Sequence, residues 1–407
     1  MVRYEIKKVF GTVGSKVAVL ILTCIVVLSC WLAIFGVEWV DAQGNTKTGF
    51  TAITKLREAR NEWEGELDEE KMRAVIQELQ RISATPEARS KDYKQNDIAY
   101  GWKQGIMPIR EMMNYAYASS FNSFNYYTAE SVSPSAAGDF YSNRIKLLKD
   151  YLETGNGKDE FSEAEKGYLI RQYEEIETPF YYDYAEGWSQ LLYNSPYIIM
   201  IGALILGYLV TGIFSNEFKW KSDAIFFTTV HGRKQATISK IKAGFLLVTI
   251  LYWGAIGAYT LITLGILGFE GAACPVQMGL MWKCMYNLNL WETYLLVTVG
   301  GYIGNLFFAF LTMWISAKTR SAVFAVTTPF ILIFLPWFLD NLGVAGKLTG
   351  LLPDQLLQIY QLLLRFRVYE IGGAVLSAMA ILPVLYTVLT AALVPLMYRE
   401  FRTKQIG

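Results

Sequence analysis

The sequence predicts an all-α polytopic membrane protein: six transmembrane helices with a helical extracellular domain inserted between the first two. Three observations carry this reading. Apolar residues make up 53% of the 407 residues, and the mean hydropathy is positive. Several apolar runs reach the roughly 20 residues needed to cross a hydrocarbon core. Charge is segregated. Residues 38–192 hold 27 acidic against 18 basic side chains, and the rest of the chain is basic, although the net charge is only +1. That balance gives no reason to expect a nucleic-acid partner.

The spans are expected at 17–37, 193–214, 243–267, 293–315, 321–339 and 373–397. The first has an apolar core too long for a signal peptide, and no small-residue cleavage site follows Phe35, so it is expected to be retained. Lys and Arg fix the orientation. They cluster in the 1–16 segment (Arg3, Lys7, Lys8, Lys16), in the 215–242 loop, after the fourth span (Lys318, Arg320) and in the 398–407 tail (Arg399, Arg402, Lys404). With six spans these four segments share one side. Both termini are then cytoplasmic and the acidic insertion is outside. The location implied is a plasma membrane such as that of a bacterium.

The insertion, 38–192, reads as helical. GELDEEKMRAVIQELQRIS sets Met72, Val75, Ile76, Leu79 and Ile82 on one stripe, with Asp68 as N-cap and Thr85-Pro86 as the stop. SNRIKLLKDYLE ends at Gly155-Asn156-Gly157, and Ser162 with Glu165 has capping-box spacing. No run alternates well enough to be a strand. About 150 residues can bury a core of their own. Tyr115, Tyr117, Phe121, Phe124, Tyr126 and Tyr127 fit core packing better than a substrate platform. Tyr181, Tyr182, Tyr184, Trp188, Tyr193 and Tyr197 lead into the second span as an interfacial aromatic belt.

Chemistry-bearing patterns are scarce. The one histidine, His231, rules out an HExxH zinc site and an outer His-based triad. GxSxG is missing, and the P-loop-like NLGVAGKLT has Leu348 where Ser or Thr belongs. Cys24 and Cys30 lie in the first span. Cys274 and Cys284 share an outer loop where an oxidising exterior would allow a disulfide. The spans hold almost no ionisable residue, which argues against a proton-coupled pump. A chain with transporter architecture and no energy source needs a partner to drive it.

The loop NEFKWKSDAIFFTTVHGRKQATISKIKAG carries Glu217, an apolar centre with Phe226, Phe227 and Val230, then Arg233 and Lys234, and Lys240 or Lys242 opening the third span. This order resembles the permeases of the type-2 ATP-binding-cassette (ABC) exporter family. It departs from them in having Val230-His231 where a proline usually precedes the arginine. The six-span layout resembles the family's members with large extracellular domains; the insertion matches in position only. The resemblance implies that Glu217, Phe226, Phe227, Val230, Arg233 and Lys234 belong to a coupling helix seated on separate ABC ATPase subunits, which would hold ATP and Mg. It implies a second permease copy or a homologous permease, and an N-terminal interfacial helix with Val2, Ile6, Val9 and Phe10 on one face. It also implies short re-entrant helices at 340–372, with a surface helix as the other reading. The chain itself would be no enzyme and would need no cofactor of its own. Its substrate would be hydrophobic or amphipathic: an antimicrobial peptide, a lipid-like molecule or a drug. The rival reading is a sensor or mechanotransmission permease, whose outer domain signals inward without transport.

The topology has a direct check. In a cysteine-free background, thiols placed at Glu69 and Glu160 should react with an impermeant maleimide in intact cells, and one at Lys234 should not. Labelling at Lys234 from outside would sink the six-span arrangement.

Overall fold

The computed structural model describes residues 1–220, 232–342 and 346–403. The chain is a helical membrane protein. A short amphipathic helix α1 (Val2–Phe10) leads into α2 (Val13–Phe35), whose N-cap Thr12 accepts a hydrogen bond from the Ser15 amide at 3.2 Å. The 23 residues of α2 extend about 34 Å, enough to cross a bilayer core. Ser15, Ala18, Leu22, Val26, Ser29 and Ala33 form its buried stripe, at three-and-four spacing.

The insertion follows. Its helices are α3 (Phe50–Asn61), α4 (Glu69–Ser83), α5 (Pro86–Arg89), α6 (Tyr93–Lys103), α7 (Met107–Ala116), α8 (Thr128–Ser131), α9 (Phe140–Glu153) and α10 (Glu163–Glu174). The sequence signals at α4 and α10 hold. Asp68 caps α4, its stripe from Met72 to Ile82 is buried, and Ser162 with Glu165 closes a capping box. Strands do occur, against expectation. β1 (Glu38–Val40) pairs with β2 (Thr46–Thr48), and β3 (Gly65–Glu66) with β4 (Tyr181–Tyr182), all antiparallel. They are too short to show a period of two.

The main bundle comprises α11 (Glu186–Lys219), α12 (Thr237–Leu267), α13 (Leu290–Thr319), α14 (Ala322–Asn341) and, after a four-residue α15 (Ile359–Leu362), α16 (Ala378–Arg402). Helices α2, α11, α12 (counted from Lys234), α13 and α16 are each long and apolar enough to cross a membrane. Over the span expected at 321–339, α14 carries Pro329 and Pro336, and its apolar run, Ala322–Pro336, is shorter than the others. Central α11 packs against α2, α12, α13 and α14. Among the described residues, polar bonds between the spanning helices include hydroxyl pairs, Thr249–Tyr302 and Thr260–Tyr294, and bonds that end on backbone carbonyls. Asn305 Nδ2 donates to Ile199 O at 3.2 Å, Tyr252 OH to Thr298 O at 2.6 Å, and Ser316 Oγ to Thr211 O at 2.5 Å.

The segment expected to hold one short apolar helix before the last span is more broken. Two 3₁₀ turns (Gly346–Leu351 and Pro353–Leu357) and α15 give way to a hairpin of β5 (Val368–Ile371) and β6 (Ala374–Ser377). The last helix therefore starts at Ala378, five residues later than expected. Pro353 and the Gly372-Gly373 turn, both glycines at positive φ, explain the break. Lys347, from the P-loop-like match, instead pairs with Glu165 at 2.6 Å.

The insertion does not keep its core to itself. Trp282 of the 268–289 loop enters the cluster of Met72, Ile76, Ile109 and Phe140, while Met285 and Val368 join Leu148, Leu169 and Tyr173. Buried Arg144 fastens the joint. It donates to Trp282 O at 3.2 Å and Cys284 O at 2.7 Å, with its guanidinium 3.8 Å from the Tyr173 ring centroid. Tyr182 and Tyr184 are wholly buried in this joint and Trp188 is buried too, not in an interfacial belt; Tyr181, Tyr193 and Tyr197 stand exposed as a belt requires. Tyr115, Tyr117 and Phe121 pack into the cores, while Phe124, Tyr126 and Tyr127 are exposed. Cys274 and Cys284 are free thiols, both buried and not bonded to each other; burial pushes them up to about 12 and about 11.

Gly271 is where the loop meets α11. Its φ is +74°, and a Cβ there would lie 2.7 Å from Ala185 Cα. Gly271→Val should therefore cost about 2–4 kcal/mol through backbone strain and overpacking. The readout is the thermal unfolding midpoint of the detergent-purified protein, with Gly167→Val, whose Cβ would meet nothing within 4 Å, as the neutral control. An unchanged midpoint for Gly271→Val would contradict this packing.

Candidate functional site

The expected coupling segment, 215–242, is shorter as a connection than expected. Helix α11 continues through Glu217 to Lys219, and a π turn over Gly232–Ala236 leads into α12. The sequence boundary was drawn where hydropathy falls, but the backbone stays helical past that point because its polar side chains are satisfied.

Their satisfaction is the notable geometry. Lys240, one turn into α12, has no exposed side-chain surface. Its ammonium donates to Glu217 Oε1 at 2.8 Å, to Glu5 Oε2 at 2.9 Å and to Ile213 O at 2.8 Å. Lys8 donates to the same Glu217 oxygen at 2.8 Å and lies 3.6 Å from Glu5. Among the described residues, two ammonium groups thus face two carboxylates. Burial opposes the Lys8 charge, but its bond to Glu217 and the nearby Glu5 carboxylate hold its pKa above the ordinary lysine value.

Each element contributes for a local reason. Helix α1 turns Glu5 and Val9 inward, with Ile6 and Phe10 half-buried beside them. Its packed face is therefore the predicted apolar one with an acid set into it. Helix α11 supplies Glu217 from its last turn, and α12 supplies Lys240 from its first. Aromatic packing closes the ring below them. Phe401 of α16 packs on Phe214 and Phe218, with centroids 4.8 and 5.9 Å apart. Arg320, the left-handed cap of α13, sits 4.9 Å from the Phe218 ring. Helix α1, the last turn of α16 and the ends of α11, α12 and α13 meet here.

Of the residues singled out in the sequence, Glu217 belongs to this cluster and Lys234 is exposed. Phe226, Phe227 and Val230 lie outside the described residues, and Arg233 is described in its backbone only. Sequence reasoning missed Glu5 as a partner. The signal was an isolated acid among Arg3, Lys7 and Lys8 on an otherwise basic helix. Beside the cluster, a groove of about 510 Å3 runs between α12, α13 and α16, lined by Phe245, Tyr302, Leu306, Phe310 and Val394, with Lys242 at one end. Among the described residues, no group of three or more His, Cys, Asp or Glu is placed to hold a metal ion.

Comparison with protein-family models, with characterised proteins and with solved structures gives no match to this chain.

Removing one partner of a buried ion pair leaves the other charge uncompensated, at a cost of about 3–5 kcal/mol. Lys240→Met should therefore sharply lower the thermal midpoint. Adding Glu5→Gln removes the carboxylate that Lys240 had faced, so the double variant should regain part of the loss. A double-mutant cycle measures this as non-additivity. Strictly additive losses would mean that the two side chains do not share the cluster in solution.

Proposed function

We propose that this chain is the membrane subunit of an ATP-driven exporter of the type-2 ABC kind, moving a hydrophobic or amphipathic substrate outward. The observation that carries the proposal is the buried Lys240–Glu217–Glu5 cluster. It fastens an amphipathic helix across the two helix ends that flank residues 221–231. A segment held between two clamped helix ends passes on a push to both helices instead of yielding as a loop would. Such a clamp has a use if a partner pushes on that segment. The apolar residues Phe226, Phe227 and Val230 with basic Arg233 and Lys234 suit a partner groove that is apolar at its centre and acidic at its rim. In this proposal both termini face the cytoplasm, the ATPase binds ATP and Mg, and two permease copies enclose the path. The apolar groove between α12, α13 and α16 would suit a hydrocarbon chain.

One observation favours the sensor reading. The insertion, the 268–289 loop and the 368–377 hairpin form one body, and that body is bonded to the bundle. Arg60 pairs with Glu186 of α11 at 2.8 Å, and Arg57 donates to Leu267 O of α12 at 2.6 Å. A rigid joint of this kind could pass a ligand-binding event on to α11.

The test is Phe226→Asp with Phe227→Asp. The variant should insert and purify as the parent does, yet lose co-purification of the ATPase and substrate-stimulated ATP hydrolysis in nanodiscs. Arg233→Ala should act in the same direction, more weakly. Full retention of both activities by the double aspartate variant would overturn the coupling role. ATPase stimulation by a ligand that is never moved across the membrane would favour the sensor.

A further inference from the structure

At the opposite end of α11 a cavity of about 240 Å3 lies between the insertion and the bundle. One wall is charged: Arg60, Glu111 and Glu186. The other is apolar: Met281, Leu290 and Tyr360. Arg60 is already engaged by Glu186, and Gln190 also donates to Glu186, at 2.9 Å. Glu111 is different. It lines the cavity half-buried and, among the described residues, makes no hydrogen bond or ion pair. The lining therefore holds one carboxylate more than its guanidinium answers, and a carboxylate that has lost part of its water without gaining a partner is unfavourable. Burial raises the Glu111 carboxyl above its ordinary value in spite of Arg60 and Arg110 nearby. Among the described residues, the buried Arg60 Nε also has no hydrogen-bond partner. Tyr193 lines the cavity and is exposed, as is Tyr197 one turn further along α11. Such rings are those that favour the headgroup level of a bilayer, and a cavity opening beside them suits an amphipath's polar head.

We infer that this cavity binds a primary ammonium group carried on an apolar tail, with the ammonium at Glu111 and the tail against Met281, Leu290 and Tyr360. The carboxylate supplies the charge-assisted bond, and the tyrosine rings offer faces to a cation. Two sources share this chemistry: the headgroup of phosphatidylethanolamine and a free cationic amphiphile. The inference does not rest on the exporter reading. Its test uses no ATPase, so either can fail alone.

The probe is dodecylammonium, titrated calorimetrically into the full-length protein in phosphatidylcholine nanodiscs. Saturable binding is expected, weakened at least about tenfold by Glu111→Gln, with dodecanol binding the two proteins alike. Ser189 is exposed on the cavity wall, so Ser189→Trp should narrow the cavity and weaken binding without loss of fold; it serves if Glu111→Gln does not purify. A parallel arm measures phosphatidylethanolamine retained on purification by native mass spectrometry. Retention lost in the variants, with dodecylammonium binding only after that lipid is removed, assigns the site to the lipid; binding in its presence assigns it to the free amphiphile. Equal affinity of parent and variants for both probes would overturn the inference.

Discussion

Lys240 carries a full charge with no side-chain surface in contact with solvent. Burying an ammonium costs several kcal/mol unless opposite charge and hydrogen bonds surround it. Its three donors meet Glu217, Glu5 and a backbone carbonyl, which uses all three. This requirement fixes much else. Helix α1 must lie against α11 and α12 for Glu5 to reach. Helix α11 must remain helical to Glu217, and α12 must begin early enough to bury Lys240 in its first turn. The position of the N-terminal helix thus follows from one cation 235 residues away in sequence.

The far end of the bundle meets the same problem with guanidinium groups. Arg144 is buried with no carboxylate partner; it relies on two carbonyls and the Tyr173 face, and burial lowers its pKa from the ordinary arginine value. Arg110 is buried on Glu130 at 2.7 Å and over Tyr126. A planar guanidinium bonds in a fixed fork and stacks on rings, so it can join segments far apart in sequence. Lysine, a compact point charge, suits the tighter junction of helix ends. Between the two ends, among the described residues, the bundle uses hydroxyls, the buried asparagines Asn194 and Asn305, and shape. That division follows from the solvent: charge is tolerated where water or headgroups are near and is expensive in hydrocarbon.

The helical class and the long apolar helices were legible because hydrophobic runs and capping signals are local. Asp68, Ser162 and the α4 stripe are read within one turn of chain. What was not legible depends on contacts distant in sequence. Trp282 looks like one aromatic in a loop, and nothing local says that it fills the core of a domain that begins 240 residues earlier. Tyr182 and Tyr184 read as interfacial because a span follows them, yet the 268–289 loop covers them. Glu217 drew attention by its place after a span, but Glu5, the other carboxylate on Lys240, lies 212 residues away on a helix whose charge looked merely basic. The short strands escaped because two to four residues cannot display an alternation. The last helix was drawn too early because Ala374–Ser377 is apolar whether it is paired as a strand or wound as a helix.

The two charged junctions are joined by one element. Helix α11 has 34 residues and so extends about 51 Å, with Glu186 in its first turn and Glu217 in its last. Each glutamate is held by an ion pair to a segment outside the main bundle: Arg60 of the insertion at one end, Lys8 of the N-terminal helix at the other. Contacts along the middle are apolar or made through hydroxyls and the Asn305 amide, and such neutral surfaces slide at lower cost than paired charges separate. A displacement imposed on either junction is therefore resisted least by movement of α11 as a rod. That mechanical property does not depend on the direction of the signal. A partner pressing on the segment between α11 and α12 would use it to move the insertion, and a ligand held by the insertion would use it to move that segment. The fold supplies the lever; which end is driven is a matter of where binding energy enters.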